Sequence, residues 1–415
     1  MSTLTTRGTV VDVNIESIAV GGDGVARTGG LVIFVPRTAP GDRARIQITP
    51  AKRFARGNIT ELLEPSPLRV APACHHYGVD RCGGCQLQHM RYDAQLAAKA
   101  RIVHDTLSRI GKRDVAPPSV RPSEREWRYR TKLTLAMRRG SDGWVMGLHP
   151  YDDPGAIFHL EDCPITDERV LAIWREIKAA AAHLPRAREL RGSVRLSASG
   201  NAVVIEGGAQ WPESERFFQA LPSATSLSWI PAAGRRRQIA ERRAVPAAAS
   251  FAQINPGVAA ELRTHVLGRV MAWSPATVID AYAGVGDTAV ALAEAGAGVT
   301  AIEVDRDAAA RCAARLPIGS QALTGRVEDL LPAQPPADVV LLNPPRAGLH
   351  ERVSTVLQSE ARPPRAILYV SCNPATLARD LARMPRYRVA SLLAFDMFPQ
   401  TAHVETVCEL VGEST

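Results

Sequence analysis

The last third of the chain constrains the fold most. From about residue 250 onward, short apolar runs alternate with helical stretches. Thr277-Val278-Ile279-Asp280 reads as a buried strand, and Asp287–Ala295 as the helix after it. Val299–Val304 and Asp305–Ala314 repeat the unit, and Val339–Leu342 and Ala366–Val370 are two more strands. Continuous apolar strands between helices are what a parallel sheet covered on both faces requires. The region is therefore expected to be a doubly wound α/β domain, with ligands at the carboxyl edge of its strands.

The front of the chain is different. Residues 1–64 read as roughly five short strands, punctuated by Gly21-Gly22-Asp23-Gly24, Gly29-Gly30 and Pro40-Gly41-Asp42. That pattern suggests a small closed barrel of the OB type. Such barrels often bind single-stranded nucleic acid, and a purely structural barrel is the plainer reading. Glu64-Pro65-Ser66-Pro67 looks like a linker. Residues 65–245 mix strand-like runs with helical spacing at Asp93–Ile110 and Asp167–Ala182, an α+β segment. The Arg- and Pro-rich stretch 231–246 marks a second boundary, leaving 246–415 as the last domain.

Composition narrows the class. With 46% apolar residues, the 415-residue chain can build real cores, which excludes a mostly disordered protein. No apolar run reaches membrane-spanning length. The start, MSTLTTRGTVVDVN, lacks the basic and apolar regions of a secretory signal, so a cytoplasmic location is expected. Lys and Arg total 50 against 42 for Asp and Glu, a surplus that permits an anionic partner. From Arg69 to Lys132 there are 13 basic and 6 acidic side chains. Arg128, Arg130 and Lys132 alternate with Tyr129, Thr131 and Leu133, and in a strand they would share one face. That face would suit a phosphate backbone, or would simply be solvated. The seven cysteines are odd in number and unevenly spaced; three cluster, favouring a metal or cluster site over disulfides.

Asp280-Ala-Tyr282-Ala-Gly284-Val-Gly286 ends a strand and opens a helix, so its glycines can approach a ligand closely. Glu303 ends the next strand, where a carboxylate can hold two ribose hydroxyls. Gly284-Val-Gly286-Asp-Thr-Ala289 also satisfies a dinucleotide fingerprint, so a nicotinamide enzyme must be considered. The later strand ends argue against it: Asn343-Pro344-Pro345-Arg346 and Ser371-Cys372-Asn373-Pro374 put other side chains at the same edge.

These elements, with Phe251-Ala-Gln253-Ile-Asn255 before them and Phe398-Pro-Gln400-Thr-Ala-His403-Val-Glu405 after them, resemble the S-adenosylmethionine-dependent RNA uracil-5-methyltransferases. Residues 1–64 are similar to the small RNA-binding TRAM barrel. Cys74, Cys82, Cys85 and Cys163 resemble that family's [4Fe–4S] ligands. By ligand type alone they equally suit zinc, with His75, His76 and His89 near. The resemblance implies S-adenosylmethionine contacts at Gln253, Tyr282, Gly284, Glu303 and Asn343. It departs at Asn343, where the family usually has Asp, and at Ala283, where Cys is frequent.

Carbon 5 of uracil is a poor nucleophile, and a thiolate adding to carbon 6 makes it an enolate. Cys372 is the candidate thiolate and Glu405 the candidate base that later removes the carbon-5 proton. Arg346 can hold a phosphate or pair with an acid. The expected substrate is RNA, by resemblance 23S rRNA, with tRNA as the alternative; no obligate protein partner is evident. An exocyclic-amine methyltransferase is a competing reading, since Asn-Pro-Pro occurs there too, but it has no use for Cys372. A non-catalytic RNA-binding protein is the other.

Overall fold

The computed structural model describes residues 8–50, 54–197, 200–242, 253–358 and 363–412. Phe251, the boundary at 245–246 and the chain's first seven residues lie outside them.

The first unit is a six-stranded sheet, in the order Val10–Asn14, Arg43–Pro50, Ala55–Glu64, Leu31–Val35, Gly24–Thr28, Ser17–Ile18. All neighbours are antiparallel except Leu31–Val35 with Ala55–Glu64. The alternation of Arg43–Pro50 puts Ala44, Ile46 and Ile48 inward, where they pack with Val13, Ala26, Ile33 and Val35.

The second unit is a seven-stranded sheet: Phe158–His159, Gly143–Leu148, Lys132–Gly140, Glu189–Ser197, Gly200–Glu206, Ser226–Ile230, Arg237–Glu241. Strict alternation along Lys132–Gly140 sends Leu133, Leu135 and Met137 to one face. The helix Glu168–Ala179, capped by Asp167 accepting from the Arg169 N–H, covers that face with Val170, Ile173, Trp174 and Ile177.

The third unit is an eight-stranded sheet: Gln321–Thr324, Gly298–Glu303, Thr277–Ala281, Val339–Leu342, Ala366–Ser371, Glu405–Gly412, Tyr387–Phe395, Ser119–Arg121. The first five strands are parallel, as the βα pattern demands. The sheet is mixed rather than wholly parallel, because Glu405–Gly412 runs antiparallel between two neighbours. Apolar clusters cover both faces.

Residues 92–121, expected within the middle segment, build onto this third sheet. The helix Tyr92–Arg109 places Val103 and Leu107 against Leu377, Ala378 and Leu381, and Ser119–Arg121 pairs with Tyr387–Phe395. The same helix joins a cluster with Ile18 and Ala39 of the first sheet, Leu87, Met90 and Ala402. No helix among the described residues is long and apolar enough to cross a membrane.

Candidate active site

The parallel strands end at one edge, and the antiparallel strand starts there. This brings residues far apart in sequence together. Ser371 pairs with Thr406, so the register carried one residue further sets Cys372 opposite Glu405. Directly opposed side chains are separated by only about 5 Å at Cβ.

Glu405 is buried, 2% exposed. Burial pushes its carboxyl up to about 8, against the downward pull of the Arg346 guanidinium. Cys372 is half-buried, and its thiol is also raised: burial acts first, then the Glu405 charge, while Arg346 opposes both by charge and by a hydrogen bond. Arg346 is therefore the cation that favours a thiolate here, a role sharper than the two readings the sequence left open. Asn373 fixes the next turn: its side chain accepts from the Ala375 N–H and donates to the Arg346 carbonyl oxygen.

The residues expected to contact a cofactor lie around the end of the strand Thr277–Ala281. Gly284 has φ +60 with open space where a Cβ would stand, so its backbone presents itself bare. Gly286, at φ +82, packs where a Cβ would fall 2.3 Å from the Cys312 sulfur. Tyr282 has φ 68, rare for a non-glycine residue, and its ring packs on the sheet's apolar cluster. The Glu303 carboxylate accepts from the Gly284 N–H (2.8 Å) and the Asp305 N–H (2.8 Å), which fixes it at the strand end. Asn343 is exposed at the end of its strand, and its N–H donates to the Ala281 carbonyl oxygen at 3.3 Å. Gln253 precedes the helix Pro256–Met271 and makes no hydrogen bond to these groups among the described residues.

Asp280 carries no role that its sequence pattern alone suggests. It is fully buried, its Oδ2 has no hydrogen-bond partner, and burial pushes its carboxyl up to about 7. A buried polar atom without a partner, beside bare glycine backbone, fits a polar ligand. The donor set and open backbone thus suit an adenosyl cofactor. Only the strand-end position hinted at Asp280, because its burial comes from neighbouring strands.

The four cysteines form a second cluster. Cys74, Cys82, Cys85 and Cys163 all line one cavity of about 180 Å³, with Leu133, Leu160 and Arg130. Among the described residues, no group of three His, Cys, Asp or Glu side chains is close enough to hold a single metal ion. Two of the neighbouring histidines make other contacts, although the buried His89 Nε2 has no hydrogen-bond partner. His76 meets Asp80 through Nδ1 (2.6 Å) and the Glu161 N–H through Nε2 (3.1 Å). His89 meets the Tyr77 hydroxyl (2.7 Å), and burial lowers its pKa to about 4.

The expected three-cation strand does not form. Arg128 has φ 54, which breaks the alternation, and the strand begins only at Lys132. Arg128 instead pairs with Asp162 and Glu168 and donates to the Cys163 carbonyl oxygen, bracing the last cysteine.

The geometry has relatives. A family model described as tRNA (Uracil-5-)-methyltransferase matches residues 320–411, and a TRAM domain model matches 4–59. An uncharacterized RNA methyltransferase of Protochlamydia amoebophila is 32% identical over 99% of both chains. The chain belongs to the S-adenosylmethionine-dependent RNA uracil-5-methyltransferase family. An uncharacterized RNA methyltransferase of Thermosynechococcus vestitus is 32% identical over 97% of this chain and 98% of its own. The crystal structure of a Pyrococcus abyssi tRNA (uracil-54, C5)-methyltransferase with S-adenosyl-L-homocysteine shares the methyltransferase's fold. Its TM-score is 0.69 at 23% identity, over 96% of this chain and 99% of that one.

Proposed function

We propose that the protein methylates carbon 5 of a specific uridine in RNA, with Cys372 as nucleophile and Glu405 as base. The observation that carries this is the juxtaposition of Cys372 and Glu405, one residue beyond the Ser371–Thr406 pair at the sheet edge, with the Arg346 guanidinium acting on both. When bound, S-adenosylmethionine supplies an electrophilic methyl sulfonium. Tyr282, Gly284, Glu303 and Asn343 would hold it, with Gln253 at the helix start and Asp280 beneath. Asn343 keeps hydrogen-bonding capacity where a carboxylate is usual, so the change tunes binding rather than removing it.

The Cys372 thiolate, favoured by Arg346, adds to carbon 6 of the uracil. Carbon 5 then carries the electron pair that takes the methyl group. Glu405 accepts the carbon-5 proton, and the Cys372–carbon bond breaks with its electron pair returning to sulfur. A stacked uridine cannot reach Cys372, so the target must be flipped out.

Replacing Cys372 with Ala should abolish methyl transfer and leave S-adenosylmethionine binding intact. RNA containing 5-fluorouracil should trap a denaturation-resistant adduct with the wild type and none with the variant. Turnover near the wild-type rate in Cys372→Ala would sink the assignment.

The amino-acid set Cys74, Cys82, Cys85 and Cys163 supports a [4Fe–4S] cluster in a structural role, with zinc as the alternative. Thiols spread round a cavity suit a multi-atom group better than one ion. Anaerobic purification should yield brown protein with about four irons per chain, by the cubane stoichiometry; Cys85→Ser should lose the colour. One zinc per chain would decide for the alternative.

We read the substrate as 23S rRNA and the enzyme as cytoplasmic. The tRNA reading is favoured by the matched family model and the archaeal neighbour, whose descriptions name tRNA. Mapping 5-methyluridine in both RNAs of a deletion strain separates them.

A further inference from the structure

Another cavity opens beside the turn that carries Gln400, five residues before Glu405. It measures about 330 Å³, near the lower end of small-ligand sites. Its walls are residues 70–73, the start of the helix Tyr92–Arg109, and the loop holding Glu126 and Trp127.

These walls are fixed by hydrogen bonds. The Tyr92 hydroxyl accepts from the Ser123 N–H (2.8 Å). Ser123 Oγ accepts from the Asn255 side chain (2.9 Å) and donates to the Arg125 carbonyl oxygen (2.7 Å), which sets the loop before Glu126. Opposite, the Val70 N–H donates to the His89 carbonyl oxygen (3.0 Å), and the Cys74 N–H donates to the side chain of buried Gln88 (3.3 Å). A cavity held in this way exists before any ligand arrives, which lowers the cost of binding.

Three polar groups on the walls have no hydrogen-bond partner among the described residues. Gln400 is 2% exposed. Its backbone N–H and side-chain oxygen both go to Gln95, and its Nε2 bonds nothing. Buried amides are rarely left so without reason. Glu126 makes neither an ion pair nor a hydrogen bond. Burial, and then the Asp396 charge, hold its carboxyl above the usual range, and no cation opposes them. Trp127 rests partly on the apolar core of the seven-stranded sheet, and its indole N–H has no acceptor.

A carboxylate without a cation repels phosphate and needs donors. An aromatic ring beside it offers a stacking face for a base. Among the RNA bases, guanine alone presents two adjacent N–H donors with a carbonyl oxygen next to them on one edge. We propose that this cavity takes one unstacked guanine base of the substrate RNA, apart from the uridine that meets Cys372. Trp127 stacks on the base, Glu126 accepts from its N1–H and N2–H, and the Gln400 amide donates to O6. The same turn carries Gln400 into this cavity and Glu405 to the sheet edge, so the two bases belong to one RNA. The inference rests on RNA as the substrate and not on which carbon is methylated.

The test uses the full-length protein and two fluorescein-labelled RNAs: a short oligo(U), and the same chain with one central guanine. The guanine should tighten Kd about tenfold, within what a bidentate base contact discriminates. Glu126→Gln should bring the ratio of the two Kd values close to one. Trp127→Ala should weaken binding of the guanine RNA about tenfold, and Trp127→Phe, which keeps a ring, should restore most of it. S-Adenosylmethionine binding and melting curves establish that each variant is folded. If Trp127→Ala unfolds, Glu126→Gln still decides. A ratio near one in the wild type, or a ratio that survives Glu126→Gln, overturns the proposal. Guanosine 5′-monophosphate should compete with the guanine RNA; if both bind together, the cavity serves a free nucleotide and the proposal falls. Failure of the wild type to bind either RNA would sink the RNA substrate and this pocket with it. Formation of 5-methyluridine is scored separately, and its absence would count against the proposed reaction alone.

Discussion

Burial gives Glu405, the proposed base, a proton affinity near working pH. Its carboxyl titrates at about 8 instead of 4.5, because the charged form is desolvated and only Arg346 opposes this. A general base must be ionised to accept a proton, so product release should accelerate about tenfold per pH unit below 8 and level above it. Stability should run the other way. The folded state holds this proton between pH 4.5 and 8 while the unfolded state does not, so this stability is lost as pH rises through 8. Glu405→Gln, which cannot ionise, should melt higher than wild type at pH 9 and close to it at pH 5. It should also accumulate a covalent, methylated RNA adduct, seen on denaturing gels. Loss of activity with no adduct would reduce Glu405 to a positioning role.

At the scale of elements, the segment before Glu405 is held from the other half of the chain. Lys99, fully buried, pairs with buried Asp396 and donates to the Phe398 carbonyl oxygen at 3.1 Å. Gln95 accepts from the Gln400 N–H (3.0 Å) and donates to its side chain (2.9 Å). The Tyr129 hydroxyl donates to the Pro399 carbonyl oxygen (2.9 Å), and the Leu87 N–H to the Gln400 carbonyl oxygen (2.9 Å). These bonds fix the turn that delivers Glu405 to the sheet edge, including Gln400 at φ 70. Lys99→Met should cost about 3–5 kcal/mol, because it strands a buried carboxylate. Denaturant unfolding measures this. Adding Asp396→Leu should recover much of the loss in stability. A single variant as stable as wild type would show that the pair contributes little.

For the whole molecule, the barrel is structural. Ile18 and Ala39 share an apolar cluster with Leu87, Met90, Ala94, Ile102 and Ala402, and Ala402 is three residues from Glu405. Buried Asp42 takes Arg69 at 2.7 Å across the same junction. Removing residues 1–64 should therefore lower the melting temperature of the remainder and cut its methyl transfer even at saturating RNA. A truncated protein with wild-type melting and full turnover at saturation would confine the barrel to RNA capture.

The βα order and the strand ends that carry the candidate residues are legible in the chain alone. Those signals are local: apolar runs between helices, glycines after Asp280, Pro after Asn343 and Asn373. The helices Glu168–Ala179 and Tyr92–Arg109 are equally legible to within one to three residues, because each has one strongly apolar stripe. Long-range packing set the rest. That Glu405 meets Cys372 depends on an antiparallel strand inserted between two others, a register no local pattern encodes. The Arg128–Lys132 alternation looked like a strand, but Arg128 found acids at 162 and 168 and turned out of line. Lys132 then met Arg195, a partner sixty-three positions away. Strand pairing and burial set proton affinities and charge neighbours, and both arise only when distant segments share a core.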